Sequence, residues 1–193
     1  MNGEFEDCKE FLEKAFNLGS KLYEKNDLYL ATIAYNLAKY YSEFDLEKAQ
    51  QYINLSLEIR KDTLEIANVD YLNTITVLAT IFRETGKYTK AENLLLGYLD
   101  QLGDNKLSIN RVEDLYNLLG DVYDRKGDYV KAHKVKSKVL DIAKLKFKDS
   151  PIDLIPFYGN AGISFMRYND NQSAIELFSK ILEIYNDYPD SLN

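Results

Sequence analysis

Apolar residues recur along much of the chain at the spacing of one face of an α-helix. After Ala91, apolar side chains follow at +3, +4, +7, +8 and +11, which is the stripe of a helix that packs one side against its neighbours. Those positions are Leu94, Leu95, Tyr98, Leu99 and Leu102. The same template fits segments that begin at Cys8, Ala49, Ala132 and Ala174. The pattern therefore predicts amphipathic helices at five places along the chain.

These five starting residues are regularly spaced, at intervals of 41, 42, 41 and 42 residues. A second series of small residues precedes the last four of them at intervals of 41, 41 and 42, and an aromatic residue follows each small one three positions later. The small residues are Ala38, Ala79, Gly120 and Gly162. Self-similarity at a fixed period of this length is the sequence signature of a repeat protein.

The two series together predict a repeated pair of antiparallel helices. A small residue on the first helix of each pair and an alanine on the second allow the two helices to approach closely. Turn signals stand between the predicted helices, among them Gly86, Gly127 and Asn169. Because one such pair cannot bury its apolar face alone, we expect neighbouring pairs to stack in an all-α fold.

This pattern resembles that of the tetratricopeptide repeat family, most clearly in the third repeat. That repeat contains Tyr116, Leu119-Gly120, Tyr123, Gly127, Tyr129 and Ala132. The family's usual period is about 34 residues, so a period of 41–42 adds about two helical turns, one to each helix. This long version is similar to the repeats of kinesin light chain and of Rap/PlcR-type peptide-sensing regulators. The resemblance implies a right-handed superhelical α-solenoid of antiparallel helix hairpins, with about nine helices.

The repeat phase predicts a single solenoid over residues 1–193. Its parts are a half repeat or capping helix at 1–26, then repeats at 27–66, 67–107, 108–149 and 150–193. The N-terminal helix is apolar for a cap, with Phe11, Leu18 and Leu22 among its residues. Two interpretations stay open: the chain is cut from a longer protein, or this face pairs with another subunit or domain.

Composition and charge narrow the function. No apolar run is long enough to span a membrane, and the N-terminus lacks a secretory signal, so we expect a cytoplasmic protein. One cysteine excludes an internal disulfide, and one histidine excludes a two-histidine zinc site. The net charge of −7 disfavours nucleic acid and anionic membranes as partners. We expect Cys8 to be a buried structural thiol and His133 an ordinary surface or rim histidine.

No phosphate-binding glycine loop, nucleophile elbow or metal-ligand spacing is present in the sequence. We therefore expect no catalytic residues, no metal and no cofactor, and a protein that is not an enzyme. Most of the repeat-phase tyrosines should lie in the core between helices; they are Tyr41, Tyr116, Tyr123, Tyr158 and Tyr185.

In the family that this sequence resembles, the first helices line a concave groove that holds a peptide. The resemblance carries this role to Tyr35, Asn36 and Lys39 in repeat one and to Asn73, Thr76, Val77, Thr80 and Arg83 in repeat two. In repeat three it carries the role to Asp114, Asn117, Asp121, Asp124 and Arg125. In repeat four it carries the role to Asn160, Ile163 and Arg167.

The asparagines among these positions carry the most specific chemistry. An asparagine amide offers one acceptor and two donors, so Asn36, Asn117 and Asn160 could pair with both the N–H and C=O groups of an extended peptide. Lys39 and the three arginines Arg83, Arg125 and Arg167 could bind carboxylates. The alternative interpretation is that these side chains are ordinary solvated positions on the helices.

The segment 131–148 is the one strongly basic stretch. It holds seven lysines against Asp141, a net charge of +6 in eighteen residues. The simplest interpretation is a solvated face, and the alternatives are docking of an acidic partner or pairing within a dimer. Lys136 stands at a position that is normally apolar, and the sequence offers no explanation for it.

The leading hypothesis is a scaffold that holds a segment of another protein or a peptide in its concave groove. One alternative is a peptide-sensing domain cut from a longer bacterial regulator. Another is a structural module that forms a homodimer through the apolar N-terminal helix or through the basic helix 131–148.

Overall fold

The computed structural model describes residues 2–103 and 111–189, with side chains from Cys8 onward, and in these ranges the chain is helical without any strand. Nine α-helices and one short 3-10 helix, Pro151–Leu154, follow one another there. The α-helices are α1 (Asn2–Leu22), α2 (Leu28–Tyr41), α3 (Leu46–Thr63), α4 (Val69–Glu84), α5 (Tyr88–Leu102), α6 (Val112–Lys126), α7 (Tyr129–Lys146), α8 (Ile155–Arg167) and α9 (Asn171–Asp187). The predicted all-α fold is confirmed.

Acidic or amide side chains start several of these helices. The carboxylates of Asp27, Asp45, Asp128 and Asp170 accept hydrogen bonds from the backbone N–H groups two or three residues later, at 2.7–3.2 Å. Asn68 caps α4 in the same way at 2.8 Å. Each cap satisfies a backbone donor that the first turn of a helix leaves unpaired, which fixes where the helix begins.

The turns inside the later hairpins have one common geometry. Gly86, Gly127 and Asn169 adopt φ angles of 71°, 80° and 70°, in the left-handed region that glycine and asparagine tolerate best. In each case the N–H of the following residue donates to the carbonyl five residues earlier, at 2.8–2.9 Å, which closes the end of the first helix. The three sequence turn signals are therefore confirmed.

Close approach of the two helices of each hairpin is also confirmed. Ala49, Ala91, Ala132 and Ala174 are all at most 1% exposed. A Cβ atom at Gly162 would lie 2.7 Å from the ring of Phe178 on α9, closer than two such atoms can pack. Glycine at this position therefore lets α8 and α9 come together.

The chain forms two compact units. Unit 1 spans Met1–Ile109 and holds α1 to α5, in which each helix packs against the next one along the chain. Its core includes Leu37, Tyr41, Ile53 and Ile81. Unit 2 spans Asn110–Asn193 and holds α6 to α9, which also pack in order. Leu140, Tyr158, Ala161 and Ile184 belong to its core. The predicted repeat boundary at residues 107 and 108 lies outside the described residues.

Two expectations about single residues are wrong. Cys8 is exposed, although it shares the repeat position of four buried alanines. Tyr185 on α9 is 39% exposed, whereas the other four repeat-phase tyrosines are at least 91% buried, as expected. The repeat pattern alone therefore does not ensure burial at either position. None of the helices in the described ranges has the length and apolarity needed to cross a membrane.

Candidate functional site

The side chains predicted to line a groove lie on α2, α4, α6 and α8, which are the first helices of the four hairpins. α2 and α4 belong to unit 1 and contact each other. α6 and α8 belong to unit 2. The predicted residues therefore form two sets, one on each unit, and their surroundings differ.

In unit 1, Asn36 and Lys39 line an open cleft between α1 and α2 with a volume of about 460 Å³. We call it the α1–α2 cleft. Its remaining lining residues are Cys8, Leu12, Tyr40, Glu43 and Phe44. A mostly apolar cleft that carries a few polar groups is the usual form of a ligand site in proteins.

The two predicted groove residues that line this cleft are available to a ligand. Asn36 is exposed and its amide makes no hydrogen bond with a described residue. The Lys39 side chain is also exposed, and its ammonium lies 5.9 Å from the centre of the Tyr35 ring without a carboxylate partner in the described parts of the chain. The cleft can therefore offer an amide for a peptide group and a cation for a carboxylate.

Tyr35 lies on the other flank of α2, over a buried arginine. The guanidinium of Arg60 is 5.0 Å from the centre of its ring, and Arg60 is only 2% exposed. Arg60 donates to the carbonyl of Asp70 at 2.8 Å and to the hydroxyl of Thr74 at 2.7 Å, so this side chain from α3 links to α4. Burial lowers the pKa of Arg60, while the charge of Asp70 acts in the opposite direction. Tyr35 thus has a structural contact as well as an accessible edge.

Sequence reasoning missed Arg60, although a signal was present. In α5, α7 and α9, the same repeat position is held by Leu102, Ala143 and Tyr185. A charged residue at an otherwise apolar repeat position marks a polar contact in the interior, because a buried charge needs partners.

The groove residues on α4 are largely engaged within the chain. The hydroxyls of Thr76 and Thr80 donate to the carbonyls of Leu72 and Thr76, each at 2.9 Å. Arg83 makes two hydrogen bonds to Glu84, at 2.9 and 2.7 Å. These side chains offer a peptide fewer donors than their types suggest.

In unit 2 the predicted groove residues form a polar network with their own neighbours. The ammonium of Lys136 on α7 pairs with Asp121 on α6, and the Lys136 side chain is 4% exposed. Its aliphatic stem fills the space beside Gly120, where a Cβ atom would lie 2.6 Å from its Cε. This explains the lysine at an apolar position: the stem packs like an apolar side chain and the charge finds a carboxylate.

A second ion pair joins α6 to α8. Arg167 approaches Asp124 at 3.1 Å, with the arginine side chain 51% exposed and the aspartate side chain 7% exposed. One oxygen of Asp124 is enclosed without a hydrogen-bond partner. Burial raises the pKa of Asp124, and the charges of Arg167 and Lys136 partly offset that effect.

The other predicted residues of unit 2 are divided between buried and free positions. Asn117 is half-buried, and its amide oxygen is enclosed without a partner. Asn160 and Arg125 are exposed, and neither makes a hydrogen bond or ion pair with a described residue. Ile163 is 47% exposed, four residues before Arg167 on α8.

His133 is half-buried and packs against two aromatic rings. Its ring stacks on Tyr168 at 4.6 Å with an interplanar angle of 14°, and it lies 4.2 Å from Phe165. Its Nδ1 atom is buried without a hydrogen-bond partner. The residue joins α7 to the end of α8, a contact that spacing along the chain does not reveal.

The basic segment is also used within the chain. Lys138 contacts Tyr116, with its ammonium 3.0 Å from the hydroxyl and 4.3 Å from the ring centre, and Lys146 pairs with Glu113. With Lys136 bound to Asp121, three of the lysines hold α7 against α6. This weakens the case for the segment as a docking surface for an acidic partner.

Possible metal ligands do not cluster in the described ranges, where no group of three histidine, cysteine or acidic side chains is placed to hold an ion.

Comparison with known proteins identifies the fold. Residues 1–62 match the tetratricopeptide repeat family model. No curated protein sequence matches the chain significantly. The putative kinesin light chain TPR-like repeats of Podosopora anserina superpose with a TM-score of 0.83 at 17% identity, over 98% of this chain and 90% of that one.

Two further solved structures are similar. BtubC (BKLC) from P. vanneervenii superposes with a TM-score of 0.81 at 22% identity, over 98% of this chain and 76% of that one. The apo form of RapI has a TM-score of 0.80 at 18% identity, over 97% of this chain and 66% of RapI. At these identities the likeness establishes the fold, which is that of TPR-like solenoids and confirms the resemblance seen in the sequence.

Proposed function

We propose that this chain, which has the tetratricopeptide-repeat fold, holds an extended segment of a partner protein in the α1–α2 cleft. Helical repeat scaffolds of this kind generally serve protein–protein interaction rather than catalysis. The observation that carries the proposal is the pair Asn36 and Lys39. Both side chains are exposed, lack a hydrogen-bonded partner among the described residues, and share one apolar-walled cleft.

The lining of the cleft defines the chemistry of the segment. The Asn36 amide can accept from one peptide N–H and donate to one peptide C=O, which selects an extended backbone rather than a sequence. Lys39 adds a preference for a carboxylate. Leu12, Tyr40 and Phe44 provide apolar contact for one side chain. We therefore expect a segment in which an apolar residue lies close to an acidic one.

Unit 2 offers a smaller set of the same chemistry. Asn160 and Arg125 are exposed, and Ile163 adds apolar surface beside Asn160 on α8. Asp121 and Arg167 face partners within the unit, and we assign them to its internal packing. The proposal therefore places binding chiefly in unit 1.

The experiment starts from selection of random peptides displayed on phage against the immobilised chain. Peptides that are recovered are then titrated in solution by fluorescence anisotropy against three proteins. These are the original chain, the Asn36→Ala/Lys39→Ala variant, and the Lys90→Ala/Asn93→Ala variant. The last is a matched control, because Lys90 and Asn93 are exposed on α5 at the same three-residue spacing and lie outside the cleft.

We expect the cleft variant to bind at least tenfold more weakly, about 1.4 kcal/mol, and the control variant to bind like the original chain. Circular dichroism should show equal helicity in all three. Equal affinity of the cleft variant and the original chain would contradict the proposal and move the site away from Asn36 and Lys39. Selected peptides without acidic residues would contradict the assignment of Lys39.

A further inference from the structure

The α1–α2 cleft holds a second charge besides Lys39. Glu43 lines the cleft and is exposed, and its carboxylate makes no hydrogen bond or ion pair with a described residue. Lys39 does not neutralise it, because the ammonium of Lys39 lies near the ring of Tyr35, one helical turn earlier in the chain. A lysine that precedes a glutamate by four residues is also the less favourable order for an ion pair along a helix. The cleft therefore presents a cation and an anion that are both open to a ligand.

The surroundings of Glu43 suit a cationic side chain. Phe44 and Tyr40 also line the cleft, with their ring centres 5.4 Å apart, and Phe44 is 67% exposed. Aromatic rings attract ammonium and guanidinium groups and pack against their aliphatic stems. Glu43 also follows α2, which ends at Tyr41, and the carbonyl end of a helix carries a partial negative charge. The carboxylate, the two rings and the helix end thus all favour a positive charge at this end of the cleft.

We propose that Glu43, together with Tyr40 and Phe44, binds a basic side chain of the partner segment, two residues away from the acidic side chain that Lys39 binds. This inference rests on the proposed function, because it concerns the same segment in the same cleft. Arginine fits better than lysine, since its planar guanidinium can make two hydrogen bonds to one carboxylate and can stack on an aromatic ring. Glu43 then sets the specificity of the cleft, although it is not among the groove residues predicted from the sequence.

The spacing of two residues follows from the geometry of the cleft. Glu43 lies four residues after Lys39, across the end of α2 and the turn that follows it, which corresponds to about 6 to 7 Å along the helix axis. In an extended chain, residues two apart point to the same side and are about 6.6 Å apart. The residue between them points to the opposite side, and Leu12 on α1 lines the opposite wall of the cleft. We therefore expect an acidic and a basic residue that flank an apolar one.

The peptides recovered by phage display give the first test. We expect their sequences to contain Asp or Glu and Arg or Lys two positions apart, in one order throughout, because Lys39 and Glu43 have a fixed order along α2. Recovered peptides that carry an acidic residue but no basic residue at this spacing would overturn the inference and leave the proposed function standing.

Fluorescence anisotropy then measures the contribution of Glu43. The peptides are acetylated and amidated at their ends, so that no terminal charge replaces a side chain. Glu43→Gln should bind a selected peptide about threefold to fivefold more weakly than the original chain, because one exposed charge pair is lost. With methionine in place of the basic residue of the peptide, the original chain and Glu43→Gln should bind equally.

The matched control for this titration is Glu58→Gln, since Glu58 is exposed on α3 and lies outside the cleft. This variant should bind both peptides like the original chain. If Glu43→Gln weakens the binding of both peptides by the same factor, or of neither, then Glu43 does not act through the basic residue and the inference is overturned.

Exchange of the two charges is the sharpest test. Lys39→Glu/Glu43→Lys should bind a peptide whose acidic and basic residues have changed places, and should bind the selected peptide about tenfold more weakly, because both charge pairs become repulsive. Circular dichroism checks that its helicity is unchanged. A helical variant that still prefers the selected peptide, or binds neither peptide, would overturn the inference. Failure of the proposed function looks different, since Asn36→Ala/Lys39→Ala would then bind the selected peptide as tightly as the original chain.

Discussion

The first helices of unit 1 and unit 2 carry polar side chains at similar repeat positions but use them differently. In unit 1, Asn36 and Lys39 stand free in an open cleft, without a partner among the described residues. In unit 2, Asp121 and Asp124 hold Lys136 and Arg167, and each ion pair has one member that is at least 93% buried.

This difference separates residues that hold the fold from residues that are available for a partner. A half-buried ion pair ties neighbouring helices together, and its removal leaves an unpaired charge that costs stability. An exposed amide or ammonium contributes little to stability, so its loss should be felt only in binding. Removal of a polar side chain should therefore lower the stability of unit 2, whereas in the α1–α2 cleft of unit 1 it should weaken binding.

The largest expected effect on stability is at Asp121. Its removal in Asp121→Ala leaves the buried ammonium of Lys136 without its carboxylate, and we expect a loss of about 2 kcal/mol in the free energy of unfolding, measured with urea. Asp114→Ala is the matched control on the same helix. Its ion pair with Arg111 is exposed, so the loss there should stay below about 0.5 kcal/mol.

A double-mutant cycle isolates the cause. Lys136→Met keeps the apolar stem beside Gly120 and removes the charge, so Asp121→Ala in this background should cost less than about 0.5 kcal/mol. An equal cost in both backgrounds would show that Asp121 stabilises α6 without acting through Lys136.

The next effect compares two arginines at one repeat position. Arg125 and Arg167 each follow a small glycine, Gly120 or Gly162, by five residues. Arg167→Ala should lower stability by about 1 kcal/mol, because the enclosed carboxylate of Asp124 loses its cation. Arg125→Ala should change stability by less than about 0.5 kcal/mol, because Arg125 is exposed and unpaired in the described ranges. Similar losses of stability in Arg125→Ala and Arg167→Ala would show that the ion pair with Asp124 does not set the two arginines apart.

A smaller effect should appear in the pH dependence of unfolding. Burial raises the pKa of Asp124 above its ordinary value of 3.8, so the folded chain holds this proton more tightly than the unfolded chain. The contribution of Asp124 thus favours folding below pH 3.8 and is lost as the pH rises through the raised pKa. Asp124→Asn should therefore gain stability relative to the original chain across that window, measured by urea unfolding from acid to neutral pH. Asp141→Asn, which alters an exposed carboxylate on α7, serves as the control. A difference in the free energy of unfolding between Asp124→Asn and the original chain that does not change with pH would contradict the account.

The smallest effect on stability should come from the cleft. Asn36→Ala/Lys39→Ala should change the free energy of unfolding by less than about 0.5 kcal/mol, although it should abolish most peptide binding. Thermal unfolding followed by circular dichroism measures this directly. A loss comparable to that of Asp121→Ala would place these residues in the fold rather than in the binding site.

The repeat pattern predicts the fold because each element depends on local spacing. The buried alanines, the close approach at Gly162 and the left-handed turn at Asn169 all follow from residues whose distance along the chain is fixed. Lys136 and Arg60 could not be placed in the same way. Each satisfies its charge with groups on another helix, and the partner depends on how three helices pack rather than on any sequence interval.

For Cys8 and Tyr185, the repeat pattern predicted burial and the structure shows exposure. Both occupy repeat positions that are buried elsewhere, but burial at such a position requires a neighbouring helix as well as the right residue. A pattern of residues specifies the surface that a helix presents and does not specify what covers it.

Cys8 also provides the most direct test of the central claim, because it is the chain's one cysteine and lines the α1–α2 cleft. The rate of its alkylation by iodoacetamide can be measured in the original chain, with and without a saturating amount of a selected peptide. We predict that the peptide slows alkylation severalfold. Alkylation at an unchanged rate, with the peptide shown to be bound, would contradict binding in this cleft.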